Sequence, residues 1–536
     1  MFSRIVWLFV SLCCTLIFTS ACQPSVEQKT QNHLFIGVEI DPDNANPLVA
    51  PYALSGYIID LINPGLARRK VTKEGLVYEP ALAKSWTFNE DLTELTYILR
   101  DDLLWEDGVP LTSADVAFTM ELMADSTVAS NWLGDAKNIR AVLTPDPHTV
   151  VFQFHESRNR IWQQGYTFRG ILPKHKLENV DRGSLRGHES ARKPLSSGPF
   201  RLTEWKHNQY VRLQPNPRAP KDWTPSLDYI ILKIIPESQT QLLALQKGDL
   251  DMVLNVQFGD IAAIEANPRL RTILSPADYM IYIGYNLTKE RYQDPKLRKA
   301  LTLATNRKAI IDKLYTVDEK VYAQPCESTV APNLTEWVPS ELTPNTYQPE
   351  AAAALLDASG WIDEDGDGIR EKNGEPLSIR LMMQNGNEKG RKLSILIQNQ
   401  WRKVGVELVL DVLDATAFDD RARRKQYDAL LWAFGNNPKI DLPIIWKTGG
   451  RYNWFGYSNP EVDRLLDAGV SSVDPADAKH AFKEAQRKIH QDNPVTFLLW
   501  VDGVMALDKR FQNTSHTLFN PLFHAEQWQI AEKEVN

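Results

Sequence analysis

One stretch of the chain, Ile5 to Phe18, is almost continuously apolar, and it sets the compartment in which everything after it must fold. It follows Arg4, is broken by Ser11 and Thr15, and gives way to Thr19, Ser20 and Ala21 before Cys22. A helix needs ~20 apolar residues to cross a bilayer core, so this run is too short to span one comfortably. A positive start, a short apolar run and small residues at its end are the parts of a secretory signal that is removed in the mature protein. The rest of the chain is therefore expected outside the cytoplasm. No second stretch reaches transmembrane length, so that body is expected to be soluble.

The 536 residues carry a net charge of −8, and losing Arg4 with the leader makes the body one unit more acidic. Mild acidity excludes the broad basic surface that nucleic acid or anionic lipid demands. The roughly 515 residues beyond the leader exceed a single core and predict two or three domains. Of four cysteines, Cys13 and Cys14 lie in the leader and Cys22 ends it, leaving Cys326. No internal disulfide can form, which suits a large domain whose core needs no staple. Cys326, between Pro325 and Glu327, has no base beside it and is expected to be inert.

Thr19-Ser-Ala-Cys22 resembles the lipobox of bacterial lipoproteins, with Thr19 where an aliphatic residue is usual. In that family the cysteine becomes the first residue and is acylated. The resemblance implies a lipoprotein signal peptide over 1–21, lipidation at Cys22 and a membrane tether through its acyl chains. An ordinary signal cut elsewhere, with Cys22 incidental, is the alternative. Residues 22–33 are polar and read as a flexible tether.

Beyond the tether, helices alternate with strands, which argues an α/β fold. Leu34–Val38 and Leu95–Leu99 read as strands, and Asp107-Gly108 as a turn. Thr112, with Asp115 three residues on, predicts a helix start. Pro349 and Gly360 bracket an Ala-rich helix over 350–359. Leu393, Leu396, Ile397, Trp401 and Val404 fall at helical spacing with Gly405 as the stop. Val406, Leu408, Leu410 and Val412 then alternate as a half-buried strand.

Several blocks, in one order, carry a wider resemblance. They include Glu79–Trp86, Trp105–Val116, Ser197–Trp205 and Ile234–Val253, then Gly284-Tyr-Asn286, Asp294–Leu301, Tyr427–Trp432 and Gly456–Asp463. Together they resemble the extracytoplasmic solute-binding proteins of peptide-type ABC importers, across nearly all of 34–530. The resemblance implies an α/β, two-lobed periplasmic-binding-protein fold with a hinge and an extra subdomain inserted in lobe one. Lobe one would take 34–57, 195–275 and 501–536, the inserted subdomain 58–194, and lobe two 276–500. Ligand would bind between the lobes, which close about the hinge. The partners implied are a peptide or other small solute and a membrane ABC permease, with the binder itself a monomer that needs no cofactor. It would be lipid-anchored to the cell membrane or to the periplasmic side of the outer membrane.

In the peptide binders of this family, the segment after the Tyr-Asp strand supplies an aspartate that pairs with the ligand's ammonium group. Here that segment reads Trp432-Ala-Phe-Gly-Asn-Asn-Pro438, so the position falls on Gly435 or on Asn436 or Asn437. The amine clamp is therefore expected to be missing, with neutral hydrogen bonds from Asn436 as one substitute and a plain turn as the other reading. Trp432, Phe434, Trp454 and Phe455 are candidate ligand contacts, since aromatic rings on cleft loops give broad contact without strict selection. Core packing is the alternative for each ring. Tyr285 and Asn286 are a second candidate pair. Peptide leads; oligosaccharide, an opine-like compound or a chelated metal remain open, as does a sensor or structural lipoprotein without transport.

Asp363, Asp365 and Asp367 resemble the start of a calcium loop, with Gly368 permitting the sharp turn. Position twelve is Gly374 rather than glutamate, with Glu375 adjacent. A solvated acidic turn is the competing reading. No HExxH, CxxC, GxSxG or phosphate-binding loop is present, so no enzyme is expected.

Overall fold

Two long strands carry the architecture of this computed structural model, which describes residues 32–50, 52–72, 75–167, 169–435, 441–517 and 520–531. The leader, Cys22 and Asn436 lie outside these. Leu270–Tyr285 and Val495–Asp508 run antiparallel along each other. Leu270 to Ser275 pairs with Asp508 to Gly503, and Tyr279 to Gly284 with Val501 to Val495. Between Ser275 and Tyr279 the register shifts.

On one side of that shift the sheet continues through Met252–Val253, His33–Val38, Tyr229–Ile234, Tyr210–Pro215 and Phe200–Lys206. On the other it continues through Ala429–Gly435, Ser378–Gln384 and Glu407–Leu413, with Ala323–Pro325 added beside Val495–Asp508. The result among the described residues is one eleven-stranded sheet shared by two lobes. Val495–Asp508 is buried along its length except at Asp502 and Gly503, where it crosses between them. A strand covered on both faces reads as a near-continuous apolar run, which VTFLLWV and VMAL supply.

The crossing is locked by a specific contact. Ala277 sits at φ +51°, a left-handed conformation that costs a non-glycine residue about 1–2 kcal/mol. Its N–H donates to Asp502 Oδ1 at 2.8 Å. Burial pushes the Asp502 carboxyl up, and the same N–H opposes that.

Lobe one packs Leu34, Ile36, Phe200, Leu232 and Leu507 with the returning C-terminal residue Trp528. A four-stranded antiparallel sheet, Ala83–Phe88, Glu94–Leu99, Thr149–Phe154 and Ile139–Asp146, has its own core around Trp105, Tyr97 and Phe152. The helix Ser113–Ala124 closes over it through the expected cap: Thr112 N–H donates to Asp115 Oδ2 at 2.9 Å. Asp115 Oδ1 also accepts from Lys174 N at 2.9 Å, so one carboxylate joins two segments.

In lobe two the helices Pro349–Ala358 and Glu388–Arg402 cover the sheet, and Gly360 and Gly405 end them at positive φ. Their core, around Leu356, Leu393 and Trp401, runs on without a break to Phe35 and Leu245 of lobe one. A second cluster gathers Tyr282, Trp446, Phe455, Phe482 and Phe497.

A buried ion pair ties the strand Ala67–Thr72 to the C-terminal segment. Arg68 donates to Glu526 Oε1 at 2.5 Å, and His524 bridges Glu526 and Glu79 at 3.1 Å each. Burial alone would raise the Glu526 carboxyl, but Arg68 and His524 outweigh it and hold it at about 2. Breaking a buried pair from one side leaves an uncompensated charge and costs about 3–5 kcal/mol. Glu526→Gln is therefore expected to lower unfolding stability by about 3 kcal/mol at neutral pH. Because the folded carboxyl titrates below the unfolded one, this deficit shrinks as pH falls from the normal glutamate range toward 2. Denaturant melts across pH check both.

Candidate functional site

The strand Ala429–Gly435 runs beside Leu270–Tyr285 toward the crossing, so that Gly435 pairs with Tyr279, next to the register shift. Side chains alternate along a strand, which sets Trp432 and Phe434 on one face. Trp432 stacks on Phe418 at 5.4 Å and meets Trp454 edge-on at 4.7 Å. Trp454 meets Tyr452 at 5.7 Å, and Tyr452 meets Phe434 at 5.6 Å. These rings form an aromatic wall. The indole N–H groups of Trp432 and Trp454 are buried and have no hydrogen-bond partner among the described residues.

Gly435 ends the wall exposed, and a Cβ built there would meet nothing within 4 Å. A side chain at that position would have room. Asn436 lies outside the described residues.

Three expected site residues lie elsewhere. Tyr285 pairs with Ala429, at the opposite end of the strand from Gly435. It is fully buried, shares a 2.5 Å hydrogen bond with the Thr496 hydroxyl and stacks on Tyr292. Asn286 is buried and spends all its capacity on the chain. Its Nδ2 donates to the carbonyls of Lys425 and Tyr427, and its Oδ1 accepts from the Thr288 N–H and O–H. Phe455 is buried against Tyr282 and Trp446. Phe455 belongs to the cluster on which the rings pack, whereas Tyr285 and Asn286 close the far end of the strand and face the chain. Phe418, from the helix Ala415–Arg423, is the ring that sequence reasoning missed.

Lobe one holds a cluster of buried charges. Arg69 and Tyr78 are cross-strand partners on Ala67–Thr72 and Gly75–Pro80. Burial lowers Arg69 to about 10, against the pull of Asp60, and raises Tyr78 to about 12. Burial also pushes Asp60 up, with Arg69 and Asn520 opposing. The Arg169 guanidinium lies 3.1 Å from the centre of the Trp132 ring, and burial lowers its pKa while Asp135 opposes. The Tyr78 hydroxyl has no hydrogen-bond partner. None of these residues falls in a compact motif; the fold collects them from separate segments of the chain.

The two sides touch. Arg451, next to Tyr452, donates to the Asn131 carbonyl at 2.8 Å, next to Trp132. Asn159 Nδ2 donates to Gly469 O at 2.7 Å, and its N–H to Val470 O at 2.9 Å. Lys389 of lobe two lies 4.4 Å over the Phe258 ring of lobe one. The lobes are in contact on each of these seams, as in a closed binder.

Outside the cleft, Asp363, Asp365 and Asp367 converge with Glu371, each offering an oxygen within 4.8 Å of the others. Glu371, not Glu375, is the fourth carboxylate. Asp363 already accepts from the N–H groups of Gly366 and Gly368 at 2.9 and 3.1 Å. Cys326 is buried and its thiol is pushed up by burial, so it holds no nucleophile.

The chain matches the model of the bacterial extracellular solute-binding proteins, family 5 Middle, over residues 77–456, and it belongs to that family. The oligopeptide-binding protein AppA of Bacillus subtilis (strain 168) is 26% identical over 534 residues, covering 96% of each chain. The nickel-binding periplasmic protein of Escherichia coli (strain K12) is 27% identical over 374 residues, covering 65% of this chain and 68% of its own. The solved structure of AppA from Bacillus subtilis in complex with a nonapeptide matches with a TM-score of 0.82 at 25% identity, covering 94% of this chain and 100% of that one. The fold is accordingly the two-lobed binding-protein architecture, its lobes joined at a hinge. Among the described residues no helix is long and apolar enough to cross a membrane.

A ring that anchors ligand in a desolvated cleft contributes about 1–3 kcal/mol. Trp432→Ala is expected to weaken ligand binding by that amount in calorimetry, and unchanged affinity would make the ring purely structural. Calcium in the acidic loop would add about 2.7 kcal/mol of stability at a hundred times its Kd. Melts in calcium and in chelator check this; identical curves identify the loop as a solvated turn.

Proposed function

We propose that this protein captures peptides in the cleft between its lobes and delivers them to an ABC permease. The observation that carries the reading is the aromatic wall of Trp432, Trp454, Tyr452 and Phe434. A peptide backbone offers a carbonyl at every residue, and flat rings tolerate varied side chains beside it. The opposite wall holds Arg69 and Arg169 with Asp60 and Asp135, a balance of charge that suits a zwitterion. With Gly435 in place of an acid, the ammonium group falls to these lobe-one carboxylates. The relative named for oligopeptides supports this reading over nearly the whole chain.

Closure would stabilise ligand only through contacts made in the closed state, such as Arg451 to Asn131. The chain would act without catalysis, as a monomer. Lobe one would comprise 34–57, 195–275 and 501–536, with 58–194 inserted and 276–500 as lobe two. Cys22 would carry acyl chains that hold the body at the membrane, outside the cytoplasm.

Gly435 also favours a second reading, a solute without a free ammonium group, such as a chelated metal; a nickel binder is among the relatives. Mass spectrometry of the protein purified from its own membrane separates the two. A ladder of short peptides released from the cleft is expected, together with acyl mass on the N-terminal cysteine. A single non-peptide species would replace the peptide reading, and an unmodified N-terminus would remove the anchor.

A further inference from the structure

The lobe-two helix Pro460–Ser471 is finished by a residue from outside its lobe. The last carbonyls of a helix have no partner within it and must find one elsewhere. Ala468 finds the N–H and the hydroxyl of Ser472, at 2.9 and 2.7 Å. Gly469 and Val470 are answered across the seam by one residue, Asn159. Its Nδ2 donates to Gly469 O at 2.7 Å and its N–H to Val470 O at 2.9 Å. Asn159 is only 4% exposed, so water has little access to either bond.

Each side of this contact is rooted in its own body. Asn159 follows the strand Thr149–Phe154 and starts the single helical turn Arg160–Gln163, whose Trp162 N–H donates to Asn159 Oδ1 at 3.2 Å. Gln163 fastens that turn beside the four-stranded sheet, donating to Leu92 O at 2.9 Å and accepting from Asn138 Nδ2 at 3.2 Å. On the far side the helix end lies tight on Pro475–Asp492, where a Cβ at Gly469 would meet Phe482 at 2.7 Å. Ile161 and Trp162 pack against the lobe-two cluster that holds Tyr282, Trp446 and Phe482. One turn of chain therefore carries two amide donors and two apolar side chains across the seam. Separating the lobes removes all four contacts together.

We propose that Asn159 is a closing latch, a positioning residue that holds the lobes shut by capping a lobe-two helix in trans. It acts on the balance between open and closed states, not on the solute, and so stands whichever solute the cleft takes.

Asn159→Asp separates the latch from the cap that the same side chain makes on its own turn. Aspartate caps a helical turn as well as asparagine does. It has no donor for Gly469 O, and it sets a carboxylate against the negative end of a helix. Hydrogen exchange of the full mature chain, with no solute added, is read by mass spectrometry over 129–136 and 447–454, which flank the separate Arg451–Asn131 contact. Rates are taken relative to the strand Thr149–Phe154, which reports on the fold itself. Exchange at that remote contact is expected about fivefold faster in Asn159→Asp than in the wild type, with Asn159→Ala between them. Wild-type rates there, with changes confined to 157–163 and 468–473, overturn the proposal and leave Asn159 a local cap. A larger effect in Asn159→Ala than in Asn159→Asp overturns it too, because that is the order an N-cap alone produces.

Discussion

The antiparallel pairing of Leu270–Tyr285 with Val495–Asp508 is the constraint on which the molecule depends. Both lobes build their sheets outward from this pair, and the apolar core passes through it without interruption. A hinge made of two hydrogen-bonded strands differs from one made of loose linkers. It limits relative motion to bending and twisting at the register shift, where Ala277 and Asp502 hold each other. The strained backbone at Ala277 is tolerated because the Asp502 carboxylate answers its N–H.

Binding chemistry is divided between the lobes in a way that follows from this hinge. Lobe two contributes rings and neutral donors, and lobe one contributes paired charges. The rings pack in one cluster with Phe455 and Tyr282, and Arg69 offsets the buried charge of Asp60. The functional surface is complete when the walls meet, as they do at Arg451 and Asn131. If ligand binds between them as proposed, affinity would depend on residues such as Asn159 as well as on the cleft lining.

The elements themselves were readable from local signals. The Thr112–Asp115 cap, the glycine stops at 360 and 405 and the alternation over 406–412 all lie within a few residues of the structure they produce. The order of the blocks carried the family, and the Tyr427–Trp432 block led to the aromatic wall. What stayed hidden was which face of an element looks into the cleft. Tyr285 and Asn286 belong to a recognisable block, yet the block closes a strand and its polar atoms serve the chain. Phe418, Arg169 and Asp60 carry no motif, since their neighbours are brought from distant segments. Glu371 joins the acidic loop through its antiparallel bridge to Ile362, which a fixed twelve-residue spacing does not anticipate.

The pairing of Gly435 with Tyr279 has one more consequence. The aromatic wall ends at the pivot, where its lever arm is shortest. A rotation of one lobe against the other displaces that end least and sweeps more distant points through longer arcs. The rings near Gly435 thus form a floor that holds its shape through the cycle, and the seams remote from the pivot behave as the gate. On the proposed reading, a ligand would settle on that floor before the gate closed.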